Sequence, residues 1–467
     1  MKSLFLLPIA FFIAVTSFAQ DITGQWFGAL EVPGGQLRLV FTIEKAENGY
    51  SSTMDSPDQG AFGIPVTSTQ FVNNTLKINI TNAKIEYEGT LGEDEQITGV
   101  FKQAGQSLPM NLTREEIKKE VVLRPQEPKP PFPYRSEDII FENKSADISL
   151  AGTLTTPAAG ANFPAVILIS GSGPQNRNEE LMGHKPFLVL SDYLTKNGIA
   201  VLRFDDRGTA ASQGDYSTAT TVDLATDVAA AVEYLQTRAE IDQSHIGLVG
   251  HSEGGIIAPM VAKDSEDIAF LVLLAGTGIR GDQLLLAQQA LIGEAAGMSP
   301  DQLAENDMIS RKAFEIMVKD QSEEELKAGI TEYMTQVFRK IPAENIPGRM
   351  TEAEFVNAQV NQLSSPWMQH FIKYDPAPAL EQVSCPVLAI NGEKDLQVPA
   401  KENLEGIKAA LEKGGNQHVT IKELPGLNHL FQESETGAPS EYATIEQTFS
   451  PVALELITNW ITEQVNK

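Results

Sequence analysis

Ser252 lies in Gly250-His-Ser-Glu-Gly254, a stretch whose residue types suit acyl transfer. The apolar run Ile246 to Val249 precedes it, and a small-residue segment of helical character follows to Met260 and Val261, which reads as strand, sharp turn, helix. In a Gly-X-Ser-X-Gly turn the serine occupies a strained backbone position, and glycines flank it where a Cβ would strike the neighbouring strand or helix. The helix starting behind the serine adds a positive dipole end and free N–H groups, which favour negative charge developing beside its oxygen. Such a serine needs a base to take its proton and a third group to orient that base.

Six histidines are available as the base. His245 and His418 precede strand-like runs, His251 belongs to the turn itself, and His370 falls in a helical block. His429 follows the run ending at Leu424, in Pro425-Gly-Leu-Asn-His429, where glycine and asparagine allow a tight loop. It is the preferred base, with His184, in another loop after a strand, as its rival. The orienting acid is expected on Val387-Leu-Ala-Ile-Asn-Gly-Glu-Lys-Asp395, where a strand and a glycine turn deliver Asp395, with Glu393 as the competitor. An oxyanion needs two N–H donors. Glu253, just after the serine, supplies one, and Ser172 in Ser170-Gly-Ser-Gly-Pro174 is chosen for the other.

These residues need a scaffold that gathers the ends of several strands. Apolar runs at 165–169, 199–203, 246–249, 269–274, 387–390 and 419–424 are separated by helical stretches such as Val222 to Thr237, with Leu224, Val228, Ala231, Val232 and Leu235 on one face. Strands apolar on both faces, alternating with helices, imply a parallel sheet covered on both sides, with its active site at the strands' carboxyl ends. Between about 278 and 375 the strand rhythm stops, and Phe314, Met317, Leu326, Ile330, Met334, Val337 and Phe338 recur at helical spacing. A helical block inserted after a strand's carboxyl end reads as a cap over the active-site edge.

At 467 residues the chain has room for two or three domains. Residues 1–19 read as an export signal: Lys2, an apolar stretch from Leu4 to Val15 too short to span a bilayer, and Ser17-Phe-Ala19 before the cut. Residues 20–115 alternate with period two, as in Leu37, Leu39, Phe41 and Ile43, and are broken by turn signals such as Asn73-Asn74, which suggests a small antiparallel barrel or sandwich. Residues 116–136, charged and then proline-rich, read as an extended linker, and 137–467 as the α/β domain. A single cysteine, Cys385, precludes an intrachain disulfide, which for an exported chain suits a bacterial periplasm or exterior. The net charge of −27, from 62 acidic and 35 basic residues, argues against nucleic-acid and anionic-membrane partners.

Residues 137–467 resemble the α/β-hydrolase superfamily. Gly171-Ser-Gly-Pro-Gln175, Gly183-His-Lys-Pro-Phe187, Asp205-Asp-Arg-Gly208, Gly250-His-Ser-Glu-Gly254, Asn391-Gly-Glu-Lys-Asp395 and Gly426-Leu-Asn-His429 are similar to motifs of exported bacterial serine carboxylesterases with an N-terminal β domain, and to the serine-aminopeptidase-like branch. The order Ser252, Asp395, His429 is the α/β-hydrolase order. The resemblance implies an α/β-hydrolase fold with a helical cap and a small all-β domain, and a serine ester hydrolase without metal or organic cofactor; the easier departure of an alkoxide than of an amine and the heavily charged helical block point to small, short-acyl esters. A peptidase with the same three residues and a non-catalytic binding protein on the same fold are the alternatives. One departure stands out: where such chains often read Arg-Gly-X-Gly-X-Ser, this one has Arg207-Gly-Thr-Ala-Ala-Ser212, with alanine at 210.

Overall fold

The computed structural model describes residues 21–466 apart from 33–34, 48, 60, 104–105, 119–122, 320, 343–345 and 347–349. The export signal expected over 1–19 lies outside the described residues. The chain forms two compact units, residues 1–120 and 121–467.

The first unit is a nine-stranded antiparallel sheet of β1 (Gly24–Val32), β2 (Gly35–Ala46), β3 (Gly49–Ser56), β4 (Ala61–Pro65), β5 (Ser68–Val72), β6 (Thr75–Ile80), β7 (Ile85–Leu91), β8 (Ile97–Gln103) and β9 (Gln106–Leu112). Asn73 and Asn74 join β5 to β6 with φ of 48° and 61°, the left-handed pair that a two-residue hairpin turn requires. The sheet curls until Phe27 in β1 and Thr113 beyond β9 exchange backbone hydrogen bonds of 2.8 and 2.9 Å. One face of the alternation, including Leu39, Phe41, Ile43, Ile78 and Tyr87, fills the interior.

The second unit holds an eight-stranded sheet. Its elements in chain order are β10 (Arg135–Asn143), β11 (Ile148–Thr156), β12 (Phe163–Ile169), α1 (Pro186–Lys196), β13 (Ala200–Phe204), α2 (Thr221–Gln236), β14 (Ile241–His251), α3 (Gly254–Ala262) and β15 (Phe270–Leu274). After the inserted helices come α9 (Ala377–Leu380), β16 (Val387–Gly392), α10 (Ala400–Lys413), β17 (Val419–Leu424) and α11 (Pro451–Val465). The order across the sheet is β10-β11-β13-β12-β14-β15-β16-β17, antiparallel through β11 and β13 and parallel from there on. One face packs on α2, α3 and α10 through Val228, Leu235, Ile257 and Ile407. The other packs on α1 and α11 through Phe187, Leu190, Ile457 and Trp460. This is the α/β-hydrolase fold, and its apolar strands sit where both faces are covered.

The inserted helices are α4 (Gly281–Ala295), α5 (Pro300–Met317), α6 (Glu323–Phe338), α7 (Glu352–Leu363) and α8 (Pro366–Lys373). Ser299, Ser322 and Thr351 close capping boxes at the starts of α5, α6 and α7, each satisfying otherwise orphaned N–H groups. Met317, Leu326, Ile330, Met334, Val337 and Val356 form a core of the block's own. A smaller cluster of Ile256, Met260, Leu284, Phe371 and Val398 joins α4 and α8 to α3.

The connection before β10 is more tightly held than an extended spacer. Arg124 donates to the carbonyls of Ala443 and Ile445, Gln126 to that of Phe449, and the Tyr134 hydroxyl to Asp192. Residues 124–134 are therefore part of the second unit's packing.

Ala210, the departure noted above, has φ of 48°. A Cβ in the left-handed region costs about 1–2 kcal/mol, partly offset by the lower chain entropy of alanine when unfolded. The turn is held nevertheless: the Ser212 hydroxyl donates to the Asp205 carbonyl and accepts the Ala151 N–H. Ala210→Gly should raise stability by about 0.5–1 kcal/mol, seen as a higher denaturant midpoint at unchanged slope. An unchanged or lower midpoint would show that no strain is stored there.

Candidate active site

β14 ends at His251 and α3 begins at Gly254, leaving Ser252 at the turn with φ of 53°. Its N–H donates to the Leu274 carbonyl at 2.9 Å, which ties the turn to the end of β15. The glycines are there for want of space. A Cβ at Gly250 would lie 2.0 Å from the Gly254 carbonyl oxygen, and one at Gly254 would lie 2.2 Å from the Ile169 carbonyl oxygen.

His429 stands in the loop after β17, and its Nδ1 is 2.8 Å from Oδ2 of Asp395, both residues being buried. Oδ1 of Asp395 accepts the N–H groups of Gln397 and Val398, each at 2.8 Å, so the carboxylate is fixed before it meets the imidazole. With Nδ1–H donated to Asp395, Nε2 is left with its lone pair, the form a general base requires. Ser252 and His429 are brought together through His251, whose Nε2–H donates to the His429 carbonyl at 2.9 Å. A Ser252 Oγ to His429 Nε2 hydrogen bond is not among those formed by the described residues; such contacts tighten when substrate binds.

The rivals are occupied elsewhere. Glu393 accepts the Gly426 N–H at 2.9 Å. His184 is buried between Thr448 and the Tyr442 carbonyl, and burial lowers its pKa, so it is a neutral brace of the 442–448 loop. His370 lies on α8 and His245 pairs with Asp242. Arg207 is an ion-pair residue, 2.7 Å from Asp227.

Two N–H groups are left over near Ser252. In the loop after β12 the Gly171 N–H goes to Glu179 Oε1 at 2.7 Å and the Gly173 N–H to the Tyr216 hydroxyl at 2.9 Å. Between them the Ser172 N–H has no acceptor among the described residues, and neither has that of Glu253. The loop is close enough to serve, since a Cβ on Gly171 would lie 3.1 Å from that of Ser252. A cavity of about 650 Å³ opens elsewhere, along α2, α3 and α9; Ser252, Asp395 and His429 do not line it.

A match to the serine aminopeptidase S33 family of hydrolases extends over residues 186–435, more than half of the chain. The protein belongs to this family. Over 437 residues it is 24% identical to Esterase EstD of Thermotoga maritima, covering 91% of this chain and 89% of that protein. Among solved structures it is similar to a hypothetical protein of Pseudomonas aeruginosa, 16% identical with a TM-score of 0.44 over 74% of this chain and 98% of the other. It is also similar to an esterase of Pyrococcus furiosus, 16% identical with a TM-score of 0.41 over 71% of this chain and 91% of the other. No helix among the described residues of this S33-family chain is long and apolar enough to cross a membrane.

The burial of several carboxyls at the site is not marked in the sequence. The Glu253 side chain turns inward, where Oε1 accepts from the Thr221 hydroxyl and from the Trp367 indole of α8 at 2.7 and 2.8 Å, while Oε2 is buried without a partner. Burial raises the Glu253 pKa. Asp206 accepts from the Ser170 hydroxyl and the Gln175 N–H, yet burial pushes its carboxyl up to about 8, with the charges of Glu179 and Glu253 adding to the effect. Neighbouring acids in one low-dielectric site cannot all ionise cheaply.

A carboxyl that keeps its proton in the folded state above its unfolded pKa contributes stability below the ordinary carboxylate range. That contribution is lost as pH rises through about 8. Asp206→Asn, which cannot ionise, should therefore gain stability relative to the wild type between pH 5 and pH 9. Thermal unfolding of both at the two pH values tests this, and a constant difference in Tm would contradict it.

Proposed function

We propose that this protein is an exported bacterial serine hydrolase that cleaves small, short-acyl carboxylic esters through an acyl-enzyme on Ser252. The observation that carries the reading is the buried Asp395–His429 pair at 2.8 Å, docked through His251 onto the turn that holds Ser252. His429 Nε2 takes the Ser252 proton as Oγ bonds to the ester carbonyl carbon, and the oxyanion is held by the N–H groups of Glu253 and Ser172. The C–O bond to the alcohol then breaks, and the imidazolium gives its proton to the departing alkoxide. Water, deprotonated by the same imidazole, attacks the acyl-enzyme and releases the acid. Membership of a hydrolase family and similarity to a protein named Esterase EstD support the ester reading. The leader sequence at 1–19 supports export.

A peptidase using the same residues is the second reading, favoured by the family's description and by the unpartnered Oε2 of Glu253, an acceptor that a substrate ammonium would satisfy. Against it, burial raises the Glu253 pKa and so disfavours the charged carboxylate that would anchor a cation. An amine also leaves less readily than an alkoxide and asks more of the protonating group.

Ser252→Ala should retain the fold and lose about 10⁴-fold or more in kcat, with His429→Ala behaving alike. Retention of a tenth of wild-type turnover on p-nitrophenyl acetate and butyrate by Ser252→Ala would exclude the mechanism. Comparable kcat/KM on an aminoacyl p-nitroanilide and on those esters would replace the esterase reading with the peptidase one.

α8 reaches the residue beside the nucleophile through the Trp367 to Glu253 hydrogen bond, so the helical block is proposed to limit acyl length. Trp367→Ala should raise kcat/KM for p-nitrophenyl hexanoate relative to acetate by about tenfold. Equal losses on both esters would mean that the indole supports the site without sizing it.

A further inference from the structure

Glu179 and His251 have no part in the chemistry above, yet both are buried in its midst. Glu179 sits in the loop between β12 and α1 with a left-handed φ of 51°. Its Oε1 receives two donors, the Gly171 N–H at 2.7 Å and Nδ1 of His251 at 2.8 Å. The other nitrogen of His251 faces the His429 carbonyl at 2.9 Å, and the two imidazole rings are 4.7 Å apart between centroids. A carbonyl has no proton to give, so Nε2 carries one. Oε1, already accepting from Gly171, is placed as an acceptor toward Nδ1 as well. A histidine that donates from both nitrogens is an imidazolium.

We propose that Glu179 and His251 form a buried carboxylate–imidazolium pair that positions the oxyanion loop, the nucleophile turn and the loop of the base against one another. This rests on the reading of Ser252, His429 and Asp395 as the reacting groups. Each contact falls one residue from a group that must be placed or on that group's own backbone: Gly171 precedes Ser172, His251 precedes Ser252, and the bonded carbonyl belongs to His429 itself. A single carboxylate oxygen thus sets the separation of donor, nucleophile and base, and displacements near 1 Å in such sites cost on the order of 10²-fold in rate.

The charges facing His251 agree with this form. Burial alone lowers its pKa, but the Glu179 carboxylate, the hydrogen bonds to Glu179 and the His429 carbonyl, and the charge of Asp395 together raise it. Its remaining ring neighbours are His429 and Phe431, and Asp206 lies within electrostatic reach of Glu179. His251 and Glu179 are positioning residues, since neither is assigned a contact with the reacting atoms.

Nitrogen NMR of the full chain carrying ¹⁵N-labelled histidine, read at pH 7 to 8, tests the charge without any change to the site. The resonances absent from His251→Phe should show two protonated ring nitrogens in the wild type, and in Glu179→Gln they should collapse to a single protonated nitrogen. A neutral His251 in the wild type at pH 7 overturns the ion pair. Kinetics test the positioning: His251→Phe should lower kcat about 100-fold with KM within about threefold, and His251→Gln, which restores a donor toward the His429 carbonyl, should recover part of that loss. Glu179→Gln, which keeps the shape and an acceptor oxygen, should move the alkaline limb of the kcat/KM profile to lower pH, because His251 then loses its proton more easily. Wild-type kcat in His251→Phe, or an unmoved alkaline limb in Glu179→Gln, overturns the proposal. Ser252→Ala measured alongside separates the two readings: if it is inactive while the His251 variants are unimpaired, only the positioning pair fails, and if it is active, the mechanism fails whatever the NMR shows.

Discussion

A non-glycine residue held at φ of 53° costs on the order of 1–3 kcal/mol, and Ser252 stays there because the chain around it has no other way to fit. The gap between Gly250 and Gly254, and that between Gly254 and the end of β12, are too narrow for a methyl group. The Ser252 N–H is fixed on β15. The parallel sheet supplies the rigidity: β12, β14 and β15 lie side by side with buried side chains on both faces, so their carboxyl ends cannot drift apart. The loops bearing Ser172, Asp395 and His429 start from such ends, and the strain at one residue becomes a fixed point for the others.

Much of this was legible in the chain because the signals are local. Runs apolar on both faces located β12 to β16, the mixed run at 419–424 marked the edge strand β17, and the same logic picked the loops that follow them. Asp395 and His429 were legible as residue types one turn beyond a strand. β10 was not, because it is an edge strand buried on one face only, with Ile139, Phe141 and Asn143 inside and Asp138, Ile140 and Glu142 outside. Its charged residues mask the alternation. The proline-rich segment read as a spacer because prolines stiffen a chain, and no local pattern reveals that Arg124 reaches carbonyls more than 300 residues away.

Glu179 shows the limit most clearly. Nothing in Asn178-Glu179-Glu180 separates it from a solvated acidic loop, and its environment is set by Gly171 and by His251, 72 positions further along. The same holds for Asp206 and Glu253, whose raised pKa values come from burial, with neighbouring carboxylates adding to that of Asp206. The acidic composition reads as a solvated surface, but a few of these carboxyls are the interior of the site. There they make a water-poor setting in which a fixed N–H or imidazolium interacts more strongly with developing charge than it would in water.

On the proposed mechanism an acyl group passes through Ser252 Oγ. Mixing the full chain with excess p-nitrophenyl acetate, quenching in acid within the first turnovers and mapping the peptides by mass spectrometry tests it directly. The expected result is one acetyl group, on the peptide carrying Gly250 to Gly254 and localised to Ser252, absent from Ser252→Ala and forming no faster than p-nitrophenol is released. Acetylation at another residue at the rate of turnover, or turnover with Ser252 never modified, would contradict it.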